Sequence, residues 1–271
     1  MSRRLAPTLA NVLASLAVAV LLAGGVGCGK KADDTAVAPT ASALTASAAD
    51  STTAVWHYVI DPKGVAHVDM PGLNEHIKAE ATGAAGALDI VGSDLAQSRG
   101  LVRVDLSTLT THTFGDENKD ATQTKHARTW LEAVVDGKTN EGMRWAEFAI
   151  RSVDGLSATD VKAVAPTKVG GDDLRTVTMT VHGDLLVHGH KLPKDDVVQV
   201  SFRYPAGAPA GSKPTRIDVE SKQPMRVILK EHDVSPRDPA GQLLAWTANL
   251  VSKVAETADV TVALSAMPGS P

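Results

Sequence analysis

Three histidines lie close together in the segment "TVTMTVHGDLLVHGHKLP", which runs from Thr176 to Pro193. They are His182, His188 and His190, and Asp184 lies between the first two. Neutral imidazole and carboxylate groups are common ligands of Zn²⁺ and Cu²⁺, and histidine is often the general acid or base of an enzyme. The segment could therefore be a metal site, a catalytic cluster or the polar face of a strand.

The residue pattern of this segment is that of a strand. Valine, methionine, glycine and leucine occupy the odd positions from Val177 to Val187, whereas threonine and histidine occupy most even positions. Because side chains alternate between the faces of a strand, we expect the histidines to face solvent with the threonines. In an extended chain His182 is about 20 Å from His188, so only His188 and His190 could share an ion. We interpret the histidines as exposed residues near a turn, with a metal site as the alternative.

Enzyme motifs are missing from the sequence. It contains no Gly-x-Ser-x-Gly, no His-Glu-x-x-His and no phosphate-binding loop. Glu231, His232 and Asp233 are consecutive, but alternation sends the two acids to one face and the histidine to the other. The sequence therefore predicts a binding protein with no catalytic residues, rather than an enzyme, and no required cofactor.

The N-terminus has the pattern of an export signal. Arg3 and Arg4 precede a largely apolar run that ends at Cys28, the only cysteine of the chain. The ending "GVGC" resembles the lipobox of bacterial lipoproteins, in which the cysteine is lipidated after cleavage. We predict a signal peptide over residues 1–27 and a membrane anchor at Cys28, on the periplasmic side of the envelope and at the outer rather than the inner membrane. An ordinary cleaved signal is the alternative.

The segment that follows Cys28 is rich in alanine, serine and threonine. Residues 28–54 contain no aromatic residue and no apolar periodicity, which predicts a disordered tether. The whole chain carries a formal charge of −4 and has four Trp, two Tyr and three Phe residues. It therefore lacks the basic surface and the stacking platform of a nucleic-acid-binding protein.

Alternation with a period of two recurs from Val55 onward. Many half-buried strands with turn residues between them are typical of an antiparallel barrel or sandwich. Two segments instead show helical spacing: "KHARTWLEAVV" from Lys125, and "SPRDPAGQLLAWTANLVSKVAET" from Ser235, with Asp238 as a cap and Pro239 as the first helical residue. We predict one mainly β domain over residues 55–267 with two short amphipathic helices, and a tail over residues 268–271.

The order of several motifs resembles the YceI-like family. These motifs are "YVIDPKGVAHVDMPG", "GLVRVDLSTLTT", "KHARTWLEA", "VHGDLLVHGHKLPKDDVVQVSF", "VILKEHDV" and "ADVTVALSA". The strongest match is "GDLLVHGHKLP", from Gly183 to Pro193, and the resemblance covers Trp56 to about Ala266. It implies an extended, antiparallel, lipocalin-like β-barrel exported to the periplasm, with an apolar tunnel that holds a long polyisoprenoid such as an isoprenoid quinone.

The predicted function is to bind or carry a long apolar lipid, a polyisoprenoid or an isoprenoid quinone, without catalysis. Two alternatives stay open: a structural or interaction lipoprotein with a barrel filled by its own side chains, and a periplasmic metal-binding protein. For every candidate lining residue a plain core role is an equal alternative, because both roles use the same face. The candidates are Phe148, Ile150, Val177, Met179, Val181, Val200, Phe202, Val227 and Leu229.

Overall fold

The structure is a computed structural model that describes residues 44–47, 54–72, 76–209, 211–244 and 255–270. The predicted signal peptide, Cys28 and most of the predicted tether lie outside these residues. No helix in the described ranges combines the length and the apolar character that crossing a membrane requires.

Strands make up about half of the described chain, as expected for a mainly β fold. The strands in the described ranges are β1 (Trp56–Ile60), β2 (Val65–Pro71), β3 (His76–Ala81), β4 (Ala85–Ile90), β5 (Arg99–Asp105), β6 (Thr110–Thr111), β7 (Val134–Val135), β8 (Lys138–Thr139), β9 (Trp145–Asp154), β10 (Thr167–Val169), β11 (Asp172–Val187), β12 (His190–Pro205), β13 (Arg216–Ser221), β14 (Met225–Ile228) and β15 (Thr257–Pro268).

Eight of these strands close into a ring. Their order is β1-β4-β5-β9-β11-β12-β13-β15, and β15 pairs with β1 to complete the circuit. All of these pairings are antiparallel. Strand β15 is long enough to pair with β2 as well, and β3 and β6 extend the sheet from there. The predicted fold class, a mainly β, antiparallel, lipocalin-like barrel, is confirmed.

The main core lies inside the ring, where the in-facing residues of the longest strands meet. On β11 the odd positions Val177, Met179 and Val181 are buried, and on β12 the buried positions include Val200 and Phe202. These residues form one cluster with aliphatic side chains of the neighbouring strands. The odd positions of β11 are therefore the core face, as the alternation predicts.

One helix, α1 (Glu117–Trp130), lies in the described ranges, and it starts earlier than its apolar pattern indicates. Its first turn follows Asp116, whose side chain accepts a hydrogen bond from the backbone N–H of Lys119 at 3.0 Å. This cap fixes the start of the helix eight residues before Lys125. The helix ends at Trp130, so Val134 belongs to β7 instead of the helix.

The second predicted helix is wrong where the chain is described. Asp238 does not cap a helix but closes a tight turn: its backbone oxygen accepts from Gly241 N at 2.9 Å and its side chain from Gln242 N at 2.8 Å. Gly241 has a φ of 82°, a left-handed conformation that ends a helical turn. Arg237 and Leu243 then form an isolated bridge. The rest of the predicted helix, residues 245–254, lies outside the described residues.

Leu44 and Ser47, from the part of the predicted tether that the structure describes, contact the barrel. Leu44 is 7% exposed and packs on Ala149 and Leu186 at the outer surface. Its backbone N–H donates to Glu147 Oε2 at 2.6 Å. Leu44 is the only leucine between Cys28 and Ala54, so it is the one side chain there that can bury a large apolar surface. The disordered tether over residues 28–54 stays a prediction, with Leu44 as a point of contact with the barrel.

Candidate functional site

The ring encloses an apolar cavity of about 120 Å³. Its wall consists almost entirely of aliphatic and aromatic side chains from opposite sides of the barrel. Six of the residues that alternation selects lie on this wall: Phe148, Ile150, Met179, Val181, Val200 and Phe202. Other wall residues are Leu88, Ile90, Val198, Val262 and Leu264. The cavity can accept an apolar group from water with few polar groups to desolvate.

Three predicted lining residues lie elsewhere. Val177 is fully buried among other core side chains and does not reach the cavity wall. Val227 is on β14, which pairs with the first half of β15 rather than joining the ring, and it packs in a separate cluster with Leu185 and Ala258. Leu229 begins a short 3₁₀ turn after β14 and packs against the same cluster. Alternation identifies a buried face but not where along that face the space remains.

Gly183 makes room for the ring of Phe148 on the cavity wall. A Cβ at Gly183 would lie 2.5 Å from Phe148 Cζ and 2.6 Å from the backbone oxygen of Ala149. The pairing of β11 with β9 shifts register between His182 and Gly183, which marks a bulge at this point. A glycine is needed here because any larger residue would push β9 and its phenylalanine away.

Asp196 is a polar wall residue that the sequence analysis did not select. It is 9% exposed and follows the in-facing register of Val198, Val200 and Phe202 on β12. Ser221 Oγ donates to its Oδ2 at 2.9 Å, whereas its Oδ1 has no hydrogen-bond partner among the described residues. Burial raises the pKa of Asp196 to about 6, although the hydrogen bond from Ser221 acts in the opposite direction. Alternation could have identified Asp196, because it lies an even number of residues before Val198, Val200 and Phe202 and therefore faces the same side of β12.

The other polar wall residues already have partners. Ser98 Oγ accepts a hydrogen bond from the backbone N–H of Val91 at 3.1 Å. Arg99 Nη1 donates to the backbone oxygens of Ala96 at 3.0 Å and Ser98 at 2.8 Å. Of the polar side chains on the described wall, Asp196 is thus the one with a buried, unpaired oxygen.

The prediction that all three histidines are exposed is wrong for His188. Its side chain is 3% exposed, Nδ1 donates to the backbone oxygen of His232 at 3.0 Å, and Nε2 lies 2.6 Å from Glu132 Oε2. Strand β11 ends at Val187, and His188 and Gly189 form a two-residue turn with φ values of 50° and 75°. Alternation stops at this turn, so it does not govern the direction of His188.

The turn also brings potential metal ligands together. One ligand atom from each of His188, His190 and Asp233 lies within 4.8 Å of the others. The cluster is not free of competing partners, because Arg237 Nη2 donates to Asp233 Oδ2 at 3.1 Å. Arg237 Nη1 also lies 3.6 Å from Glu132 Oε1. In this arrangement His188, Glu132, Arg237 and Asp233 form a chain of ion pairs. The ring of His190 stacks on that of His188.

His182 lies apart from this cluster and interacts with two carboxylates on the outer face. Its Nε2 is 3.1 Å from Asp154 Oδ1 and its Nδ1 is 2.7 Å from Asp195 Oδ1. The hydrogen bonds to Asp154 and Asp195 raise the pKa of His182 above its ordinary value. His182 therefore faces outward with the threonines, as the alternation predicts.

The fold and the cavity define a class of protein: a closed antiparallel barrel with an apolar interior. No protein-family model matches the chain, and no curated protein does. A solved polyisoprenoid binding domain from Saccharophagus degradans, implicated in plant cell wall breakdown, is similar at 14% identity and a TM-score of 0.44, over 78% of this chain and 98% of that chain. Burkholderia cenocepacia BcnA is similar at 12% identity and a TM-score of 0.44, over 76% of this chain and 98% of its own. These are similarities of fold alone.

Proposed function

We propose that this protein binds an apolar lipid of the polyisoprenoid or isoprenoid quinone class inside the barrel, without catalysing a reaction. The observation that carries the proposal is the cavity of about 120 Å³ with an almost entirely apolar wall. A barrel of about eight strands is just wide enough to be filled by its side chains or to hold one slender ligand. The space that remains favours the binding protein over the alternative of a filled, purely structural barrel.

The size of the cavity limits how much of a lipid tail can enter before wall side chains must move. An apolar cavity of roughly 150 Å³ can take up one benzene molecule, so this cavity accommodates a group of about one isoprene unit. A longer tail requires side chains to move along the barrel axis. Met179 and Met225 lie on the wall, and methionine changes conformation more easily than branched residues. Each five-carbon unit that enters would contribute about 4 kcal/mol before ordering costs.

Neighbouring valines on β12 provide a matched test of the cavity. Val198 lies on the cavity wall, whereas Val197 faces the opposite side of the same strand. Val198→Phe should fill the cavity and weaken the binding of farnesol at least tenfold, measured by calorimetric titration of the full chain. Val197→Phe should bind farnesol as the wild type does. Equal binding by both variants, with both still folded by circular dichroism, would exclude the cavity as the lipid site.

We infer further that Cys28 anchors the protein to a membrane on the periplasmic side of the bacterial envelope. The lipobox-like ending of the apolar run and the lack of any other cysteine support this inference. Such an anchor would keep the barrel within reach of the membrane in which its ligand dissolves.

A second candidate function is the binding of Zn²⁺ or Cu²⁺ at His188, His190 and Asp233. The approach of their ligand atoms to within 4.8 Å favours it, and the bond from His188 Nδ1 to a backbone oxygen orients the ring as in many metal sites. For an ion to bind, Arg237 would have to release Asp233, and Glu132 would have to release His188 Nε2.

Calorimetric titration with Zn²⁺ at neutral pH tests this candidate. One tightly bound ion should be seen in the wild type and in His182→Ala, whose imidazole is outside the cluster. His190→Ala should lose it. Weak binding that is equal in all three proteins would mean that the cluster is an ion-pair network and not a metal site.

A further inference from the structure

We propose that Asp196 binds the head group of the lipid, and that this head group is neutral and carries a hydroxyl group. This inference rests on the proposed lipid-binding function and names the ligand class that the cavity selects. It follows from the position, the surroundings and the chemistry of one carboxyl group.

The position of Asp196 is unusual for a charged residue. Its side chain points into the ring between strands β11 and β13, opposite Val181 of β11. The wall next to it is apolar, and the carboxyl group interacts with Ser221 Oγ, which donates to Oδ2, and with the backbone N–H of Val197. A buried polar atom without a partner costs free energy, so Oδ1 gains from any ligand that supplies a hydrogen bond.

The chemistry of the carboxyl group favours a hydroxyl. An ionised carboxylate only accepts hydrogen bonds, whereas a protonated one can also donate. Burial raises the pKa of Asp196 to about 6, so both forms are populated at mildly acidic to neutral pH. A hydroxyl group can donate to the ionised form and accept from the protonated form. A carbonyl group could bind only the protonated form, and a phosphate would be repelled by the ionised form.

Arg99 is the competing candidate for the head-group contact, because a guanidinium favours an anionic head group over a neutral one. It also lies on the cavity wall and could attract an anionic head group. Its Nη1 is engaged with two backbone oxygens at 3.0 and 2.8 Å. This leaves Nε and Nη2 for an anion, so the comparison of a hydroxyl probe with an anionic probe decides between Arg99 and the unpaired oxygen of Asp196.

Three ten-carbon probes that share one branched carbon skeleton and differ mainly at the head-group end test the inference. They are geraniol, which carries a hydroxyl, myrcene, an acyclic hydrocarbon, and geranyl phosphate, an anion. Binding of each to the full chain is measured by calorimetric titration at pH 7. The wild type should bind geraniol roughly tenfold more tightly than myrcene, as expected for one added hydrogen bond, and more tightly than geranyl phosphate.

Variants of two adjacent aspartates assign the preference to one residue. Asp196→Leu should bind geraniol and myrcene equally, because the leucine offers no hydrogen bond. Asp195→Leu, on the outer face of the same strand, should keep the wild-type preference. If Asp196→Leu does not fold, Asp196→Ala takes its place and should likewise bind geraniol and myrcene equally.

The outcomes separate this inference from the lipid-binding proposal. If the wild type binds geraniol and myrcene equally, or prefers geranyl phosphate, the head-group inference is wrong while lipid binding stands. A preference for geraniol that survives in Asp196→Leu would assign the contact to another residue and overturn the inference. If none of the three probes binds to the wild type, the lipid-binding proposal itself fails.

Discussion

At the scale of single residues, Asp196 shows how a fold can change the chemistry of a side chain. Its carboxyl group is held among apolar residues, and burial raises its pKa to about 6. A carboxylic acid whose pKa is higher in the folded than in the unfolded state favours folding when it is protonated. Its contribution to stability is therefore complete below about pH 4 and is lost as the pH rises through about 6.

The pH dependence of stability tests this assignment. Between pH 4 and pH 8 the free energy of unfolding of the wild type should fall by up to about 3 kcal/mol relative to that of Asp196→Asn, because the asparagine cannot ionise. Urea denaturation of both proteins at the two pH values measures this difference. The other titrating groups, His182 among them, are common to both proteins and cancel in the comparison. A difference that does not change with pH would mean that Asp196 ionises as easily in the folded chain as in the unfolded one.

Single residues also show where sequence reasoning succeeds and where it stops. Alternation puts Phe148 and Val181 on the inner face, because each precedes in its own strand the register shift between β9 and β11. It fails at His188, because the positive φ values of the turn reset the direction of the side chain. The contact of His188 with Glu132 joins residues from distant parts of the chain, and no local pattern predicts it.

At the scale of elements, the contact between β9 and β11 depends on Gly183. Gly183→Ala would bring a Cβ to 2.5 Å from Phe148 Cζ, so we expect a loss of about 1–3 kcal/mol in the free energy of unfolding. Gly171→Ala is the matched control, since its Cβ would meet no atom within 4 Å. It should change the stability by less than about 0.5 kcal/mol. Equal urea midpoints for the two variants would show that β9 and its phenylalanine adapt freely.

The strands were predictable as elements, whereas the helical segments were less so. Period-two alternation is strong wherever one face of a strand is buried, and β5, β9, β11 and β12 all show it. The start of α1 is fixed by a capping aspartate outside the apolar pattern. Around Asp238 the cap-like sequence forms a turn, because Gly241 takes a left-handed conformation before a second helical turn can form. Local signals for caps and for turns use the same residue types.

At the scale of the whole molecule, closure of the ring was predictable only from the resemblance to the YceI-like family. The pairing of β1 with β15 joins residues near positions 60 and 266, and no local pattern specifies such a partner. The cavity volume is likewise a property of all the wall residues together. Of the nine candidate lining residues, the three that lie off the wall are as apolar as the six that lie on it. Sequence pattern thus predicts burial, and three-dimensional packing decides where space is left.

The proposed anchor is also a property of the whole molecule, since it would tie the barrel to a membrane through the segment after Cys28. Cys28→Ser should move the protein from the membrane fraction to the soluble periplasmic fraction, because the acylated side chain is lost. Ala36→Ser, a neutral change in the same segment, should leave it in the membrane fraction. Fractionation and immunoblotting measure both. Retention of Cys28→Ser in the membrane fraction would contradict lipidation as the anchor.

Native mass spectrometry of the full chain, purified from a bacterial envelope in mild detergent, tests the lipid-binding proposal most directly. We predict a non-covalent adduct at one molecule per chain that is recovered by organic extraction as an isoprenoid, and that is absent from Val198→Phe but present in Val197→Phe. A chain that carries no adduct, and that takes up none after incubation with isoprenoid quinones and polyprenols, would contradict the proposal.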